Sequence, residues 1–500
     1  MSKGFSILEV IIALALCMIV VTGALSAQFT ANYWTLSSMA AQTALSIAQE
    51  QSGLLRALSA RDFLAVTTTV PRPFTSPGTP FGSQCAGGGF CVTTQTIVSD
   101  ISPCTKSVAV QSSWKFGARY PTSSVDTVER FLNRDALIRR GGDCLLQPLP
   151  GAWGTHQPVA QASVTENPAL ISGMDVLSDR IYVVASSTPS FRIYSRTTGG
   201  GVPVLLASST VLNNRLNAVD ALIDVRTGRR YAFVVQHTRT DQLVVLDVTG
   251  DSVSVVAKRP LIGTDQLGSF PQGWRVVAYG NRLYVTTRET AGAELHIFSI
   301  DNPTNPTQIT SASVNLARTV NEFVVHEQFV SGVLKRYLVL AASAALKEVG
   351  VYEVTGDVPF ERVAIDLPGT ENALSVFVSG TTVYLGRQSG SSPELYQFNF
   401  LELVSGNSVP QARSEVGADV HTLRVVGALA LLGTTKINNE LQIWQSSSLN
   451  WSITTENSAR LQTVPVPKLA PLGIDIGWPF LYTVSQSTTQ PEKIVTWTTL

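Results

Sequence analysis

Apolar residues fall along this chain in three different rhythms. Residues 10 to 27, VIIALALCMIVVTGALSA, form an uncharged run of 18, which at ~1.5 Å rise per residue is long enough for a helix to span a bilayer's hydrocarbon. From Gln28 to about Leu64 the spacing becomes helical, with Leu36, Met39, Ala40, Ala44, Leu45, Ile47, Leu54, Leu55 and Leu58 recurring on one side until Pro71 and Pro73 stop it. The two stretches together predict one helix of nearly 60 residues, several times the ~11–12 of an average globular helix. Gly23 and Gly53 are its weak points. Beyond Pro158 the pattern turns to short β runs separated by turn residues.

Those β runs repeat. A four-residue pattern with apolar first and fourth positions recurs as FRIY at 191, LVVL at 243, LHIF at 295, VGVY at 349, LYQF at 395, LQIW at 441 and IVTW at 494, with spacings of 52, 52, 54, 46, 46 and 53. A second β run precedes each one: IYVV at 181, YAFVV at 231, LYVT at 283, YLVL at 337, VYLG at 383, LALL at 429 and LYTV at 481. Ahead of these comes a third run, often joined by a tight turn such as Ser178-Asp179, Gly280-Asn281 or Gly427-Ala428. After most units comes a fourth, as at Ser252 to Lys258, Gln308 to Val314 and Phe360 to Ile365. Four short antiparallel strands per unit of ~50 residues, seven times over, predict a seven-bladed β-propeller over 158–500. The last unit stops after its third strand, and Pro158 to Glu166 is a spare strand. Closing the ring with that segment would avoid exposed strand edges.

Composition narrows the possibilities. Charged residues make up 14% of the 500 and apolar ones 44%, which excludes a disordered chain. The 36 basic and 36 acidic residues cancel, removing the electrostatic footprint that phosphate backbones require. No nucleic-acid partner is expected.

Ahead of the apolar run, Gly4-Phe5-Ser6-Ile7-Leu8-Glu9-Val10 resembles the class III leader of bacterial type IV pilins and type II secretion pseudopilins. The resemblance implies that a membrane prepilin peptidase cuts after Gly4 and that Phe5 becomes the methylated N-terminus. It also implies that Glu9 pairs with a neighbouring subunit's terminal amine during filament assembly, with Lys3 as the basic leader charge. Residues 1–4 would be the leader, 5–70 the transmembrane and assembly helix, and 71–150 a pilin-like β head. Ala41, Ala44, Ala48 and Glu50 on one helical side look most like the minor subunits of such filaments. A plain signal anchor is the alternative. Glu9 at the edge of hydrocarbon would cost ~2.5–3.5 kcal/mol unless paired.

Four cysteines, Cys85, Cys91, Cys104 and Cys144, lie beyond the apolar run, and Cys17 lies within it. An even number on an exported side suits two disulfides. Short loops favour Cys85 with Cys91 and Cys104 with Cys144. A zinc site is the alternative, although no CxxC pair exists and no His lies between these cysteines. Runs at Phe90 to Ser99, Ser107 to Phe116 and Val125 to Leu132 predict a small antiparallel sheet. Residues 145 to 157 read as a linker.

Candidate chemistry is sparse. The five histidines, His156, His237, His296, His326 and His421, show no metal spacing, and no catalytic motif stands out. Neither enzyme activity nor a cofactor is expected. One polar feature recurs, a glutamate just before the third strand at Glu294, Glu348, Glu394 and Glu440, usually preceded by Arg288, Lys347, Arg387 or Lys436. These glutamates are candidate carboxylates on a propeller face, or else partners in cross-strand ion pairs.

The whole is expected to be an α+β pilin-like domain with a long N-terminal helix, attached to the propeller. Expected partners are other pilin subunits, the prepilin peptidase, the inner membrane before assembly and a surface ligand. So large a domain fits a filament tip better than its shaft, and a tip-borne propeller suggests adhesion or ligand binding at the cell surface. A pseudopilin of a secretion or DNA-uptake machine, its propeller holding exported cargo, and a surface-tethered propeller enzyme remain as alternatives.

Overall fold

A computed structural model describes residues 7–61, 66, 68–69, 72–73, 91–102, 105–115, 122–132, 149, 151–153, 155–166, 170–196, 199–209, 212, 215–224, 227–264, 272–343, 347–356, 358–446, 460–466, 469–477, 480–486 and 492–499. Gly4, Phe5 and the side chains of Cys85, Cys91, Cys104 and Cys144 lie outside them. The fold is mainly β and β-propeller-like, with one long N-terminal helix. Two compact units divide the chain, the first built mainly from residues 1–58, 65–99 and 106–131, the second mainly from 132–500.

In the first unit, helix α1 (Ile7–Arg61) runs for 55 residues, about 80 Å at 1.5 Å per residue. It is long and apolar enough to cross a membrane, which fits a single span or a signal anchor. Its large side chains from Ile7 to Leu36 are exposed. Past that point a stripe of small residues, Ala40, Ala44, Ala48 and Ser52, is buried. The i, i+4 spacing keeps them on one face, and the absence of bulk lets the helix lie close to a sheet, where Ala40 and Ala44 meet Val92 and Trp114. That sheet orders Arg72–Pro73, Cys91–Ser102, Thr105–Lys115 and Ser123–Leu132 side by side. The buried ammonium of Lys106 donates to the Val66 carbonyl at 2.9 Å. Three of these strands match the sequence expectation, whereas Arg72–Pro73 pairs where only a helix stop was legible.

The second unit contains seven four-stranded sheets among its described residues. Sheets 1 to 7 are numbered by their first, innermost strands: Ile171–Leu177, Leu216–Ile223, Gly273–Tyr279, Thr319–Val330, Ala373–Ser379, Val420–Val426 and Leu469–Gly477. Each inner strand contacts the next, and the seventh contacts the first, so the sheets close a ring. The closing strand is the expected one: Val159–Glu166 pairs antiparallel with Glu492–Thr498 as the outermost strand of sheet 7.

A separate apolar core fills each gap between neighbouring sheets, for example Tyr182, Phe191 and Ile193 against Leu216, Val234 and Val244 between sheets 1 and 2. Burial on both faces explains why second strands such as Arg180–Ala185 read as unbroken apolar runs and not as alternation. Ser178, Gly280 and Gly427 take positive φ at the first turn residue, as a two-residue hairpin of the II′ type demands.

Two expectations need correction. In sheet 3 the outer strand is only Thr307–Gln308, because a 3-10 turn at Thr310–Ala312 interrupts the run, and one bridge from Leu295 to Val314 resumes it. The segment 145–157 is no free linker, since Leu149 and Trp153 are buried in the core between sheets 6 and 7.

Candidate binding site in the central channel

Six of the seven inner strands carry an ionisable side chain to the axis of the ring: Asp175, Asp220, Arg275, Glu322, Arg424 and Asp475, with Phe377 contributed by sheet 5. They line a cavity of about 100 Å³, room for a few waters or one small solute. Charges so placed lose their hydration, and each carboxylate recovers hydrogen bonds from backbone. Asp475 Oδ2 accepts the Val176 N–H at 2.7 Å, and Asp175 Oδ2 accepts that of Ala221 at 2.7 Å. Asp220 accepts from Ala278, and Glu322 Oε2 from Val376 at 3.2 Å. Every one of these bonds runs from one sheet to the next. Neutral side chains repeat the device, with Asn321 Nδ2 donating to the Ala373 carbonyl at 2.6 Å and Ser375 Oγ to that of Val420 at 2.8 Å.

The electrostatics follow from this crowding. Burial, then the neighbouring Asp175 charge, pushes Asp475 up to about 7 against the pull of Arg424. Glu322 is likewise raised by burial, although Arg424 Nη1 donates to its Oε1 at 2.9 Å. Burial lowers Arg275 to about 10. For Arg424 burial acts in the same direction, but Glu322 and Asp475 outweigh it and hold the guanidinium more firmly charged. With four carboxyl groups against two guanidiniums, the charged part of the lining is acid-rich, set among apolar side chains such as Val176, Val276 and Phe377 and held by contacts that bind the ring together. Among the described residues no group of three or more His, Cys, Asp or Glu is placed to hold a metal ion.

The recurrent glutamates lie elsewhere and do something different. Glu294, Glu348 and Glu394 are at most 1% exposed and Glu440 is 8% exposed, so they form no open ring of carboxylates. Each turns its oxygens onto backbone N–H groups of its own sheet. Glu294 Oε1 accepts from Thr290 at 2.9 Å and Oε2 from Leu316 at 2.6 Å. Glu348 accepts from Leu367 at 2.9 Å. Glu394 accepts from Val416 at 2.7 Å and Gly417 at 3.1 Å, and Glu440 from Asn438 at 3.0 Å and Val466 at 3.2 Å. The carboxylate thus latches the start of the third strand to the chain leaving the fourth.

Ion pairing around each turn fails as well. Arg387 pairs with Glu348 at 3.2 Å and Glu371 at 3.4 Å, from different turns. Among the described residues Arg288, Lys347 and Lys436 make no ion pair with these glutamates. The sequence reading missed that Gln242 fills the same place in sheet 2, its Oε1 accepting the Leu261 N–H at 3.1 Å. Its position immediately before LVVL was the available signal. His296 is a fully buried core histidine, its Nε2 3.0 Å from the Ala293 carbonyl and 3.1 Å from Thr264 Oγ1, and burial lowers its pKa to about 4.

No protein-family model matches the chain, and no curated protein matches it either. Similar solved structures include the computationally designed Ika8 protein, with 11% identity and a TM-score of 0.41 over 65% of this chain and 84% of that one. YCF48 bound to D1 peptide gives 12% and 0.43 over 68% and 96%. The Pseudomonas aeruginosa periplasmic gluconolactonase PpgL gives 16% and 0.47 over 72% and 93%. PpgL and YCF48 are β-propeller proteins, and the likeness is one of fold alone.

Proposed function

We propose that the chain is a minor type IV pilin-like subunit that displays a seven-bladed β-propeller for adhesion or ligand binding at the cell surface, the pilin-like head and its helix serving as anchor. The observation that carries this reading is the run Gly4-Phe5-Ser6-Ile7-Leu8-Glu9 leading directly into α1. The helix supports it by its division of labour, with exposed apolar residues from Ile7 to Leu36 and a small-residue face packed on a sheet from Ala40 onward. A filament spine needs the first half for neighbours or lipid and the second for its own domain. A load as large as the ring suits a filament's end, where its loops are open to a ligand.

The test is the processing site. In membranes containing the prepilin peptidase, the natural chain should give a mature form beginning at methylated Phe5 in mass spectrometry, and Gly4→Leu should accumulate as uncut precursor. An unmodified N-terminus, or cutting elsewhere in both forms, would remove the pilin reading and leave a membrane-anchored ring.

A further inference from the structure

At one end of the channel, sheets 2 and 3 bring four side chains together. The His237 N–H donates to the Arg215 carbonyl at 2.9 Å, extending the inner hairpin of sheet 2 by one pair. The Arg288 N–H donates to the Gln272 carbonyl at 3.3 Å, extending that of sheet 3 at the same end. The two hairpins are neighbours in the ring. Between the Arg288 head and the channel lies Trp274, at the bulge of its inner strand. The guanidinium carbons of Arg288 and of the channel residue Arg275 both sit 4.8 Å from its ring centroid.

Two features of this sector ask for an anion, and the Trp274 ring, whose N–H is closed off from solvent, serves them as a stacking platform. Arg215 and Arg288 are exposed and have no ion-pair partner among the described residues. His237 is held below its ordinary value by burial and then by the positive charges of Arg215 and Arg288, which reports a local excess of positive charge. Stacking on the indole fixes the Arg288 fork before any ligand arrives, reducing the ordering cost of binding. Guanidinium forks match the paired oxygens of a carboxylate, sulfate or phosphate.

We propose that Arg215, His237, Trp274 and Arg288 form a binding site for one oxyanion substituent of an acidic surface glycan. Two guanidiniums suffice to neutralise one carboxylate, sulfate or phosphate group, and the net charge of zero over the whole chain does not favour a long polyanion. The site gives the ligand class for the surface-binding role above and rests on that reading for its biological setting, but its chemistry is independent of the leader.

The test uses the full chain in detergent at low ionic strength, titrated calorimetrically with glucuronate, glucose 6-sulfate, inorganic phosphate and, as the neutral control, glucose. At least one oxyanion should bind saturably and glucose should not, and the one that binds tells whether the substituent is carboxylate, sulfate or phosphate. Arg288→Gln and Arg215→Gln, both at exposed positions, should each weaken binding at least tenfold with an unchanged melting temperature. The His237 ring should titrate at higher pH when the ligand is bound. Failure of all three oxyanions to bind, equal binding of glucose, or undiminished affinity in Arg288→Gln would each overturn the site. The mass of the processed N-terminus separates that failure from failure of the pilin reading.

Discussion

Asp475 Oδ2 accepts the backbone N–H of Val176 at 2.7 Å, although 299 residues separate the two in sequence. The bond crosses the seam between the last and first sheets, and Asp175, beside Val176, carries the same device on to Ala221. Ring closure and the chemistry of the channel therefore meet at one pair of carboxyl groups.

That pair makes stability depend on pH. Because the folded-state value of Asp475, about 7, lies above that of an unfolded aspartate, ~3.9, its contribution is fullest below the unfolded value and declines as pH rises through 7. Asp475→Asn keeps an acceptor for Val176 without the charge. It should melt higher than the natural chain at about pH 8 and show a flatter dependence between about pH 5 and 8. Identical slopes in thermal denaturation would assign the titration to another group.

The buried glutamate latch predicts a graded series. Glu394→Ala leaves the buried Val416 N–H without its acceptor, at ~1–3 kcal/mol, and returns that of the exposed Gly417 to water, so a clear fall in melting temperature should follow. Glu394→Gln retains one acceptor oxygen and should lose much less. If the two variants melt together, the carboxylate does not hold the fourth strand's exit.

Trp153, 1% exposed between sheets 6 and 7, extends the ring's core upstream of its first strand. Trp153→Ala should cost ~3–5 kcal/mol, as truncation of a buried aromatic does. A chain beginning at residue 158 should melt below one beginning at 145, and equal melting temperatures would return the segment to the status of a linker.

Glu9 tests assembly. Glu9→Leu removes a carboxylate from the edge of the apolar run, easing insertion by ~2.5–3.5 kcal/mol, so the variant should still insert and be cut at Gly4. Its share in sheared surface filaments, relative to its share in the membrane, should nevertheless fall well below that of the natural chain. Equal incorporation would argue for a simple anchor.

How far the sequence disclosed this architecture depends on what repeats. The third strands recur because every one of them is buried between sheets, so LVVL at 243 and LQIW at 441 keep the same apolar ends, and the closing segment was visible because the last unit lacked a strand. The channel was not legible. Asp175, Asp220, Arg275, Glu322, Arg424 and Asp475 do not share one position in the repeat: past the bulge near the start of the inner strand, Arg275 and Glu322 follow the bulged residue directly, Asp175, Asp220 and Arg424 stand two residues further on, and Asp475 follows the longer irregularity of sheet 7. The glutamates before the third strand were conspicuous for the opposite reason. Their fixed spacing reflects a backbone contact that sheets 3 to 6 make with a glutamate and sheet 2 with Gln242, and regularity of that kind marks construction more readily than chemistry.

The segment Val159–Glu166 joins the upstream chain to the ring while serving as a strand of its last sheet, paired from Val159 with Thr498 to Glu166 with Glu492. A pull along the chain from upstream would meet the buried Leu149 and Trp153 first and this strand next. Once those side chains were drawn out, the load would fall on a ladder shared with the C-terminal strand, so the mechanical resistance of the ring would then rest on the hydrogen bonds that complete its circle.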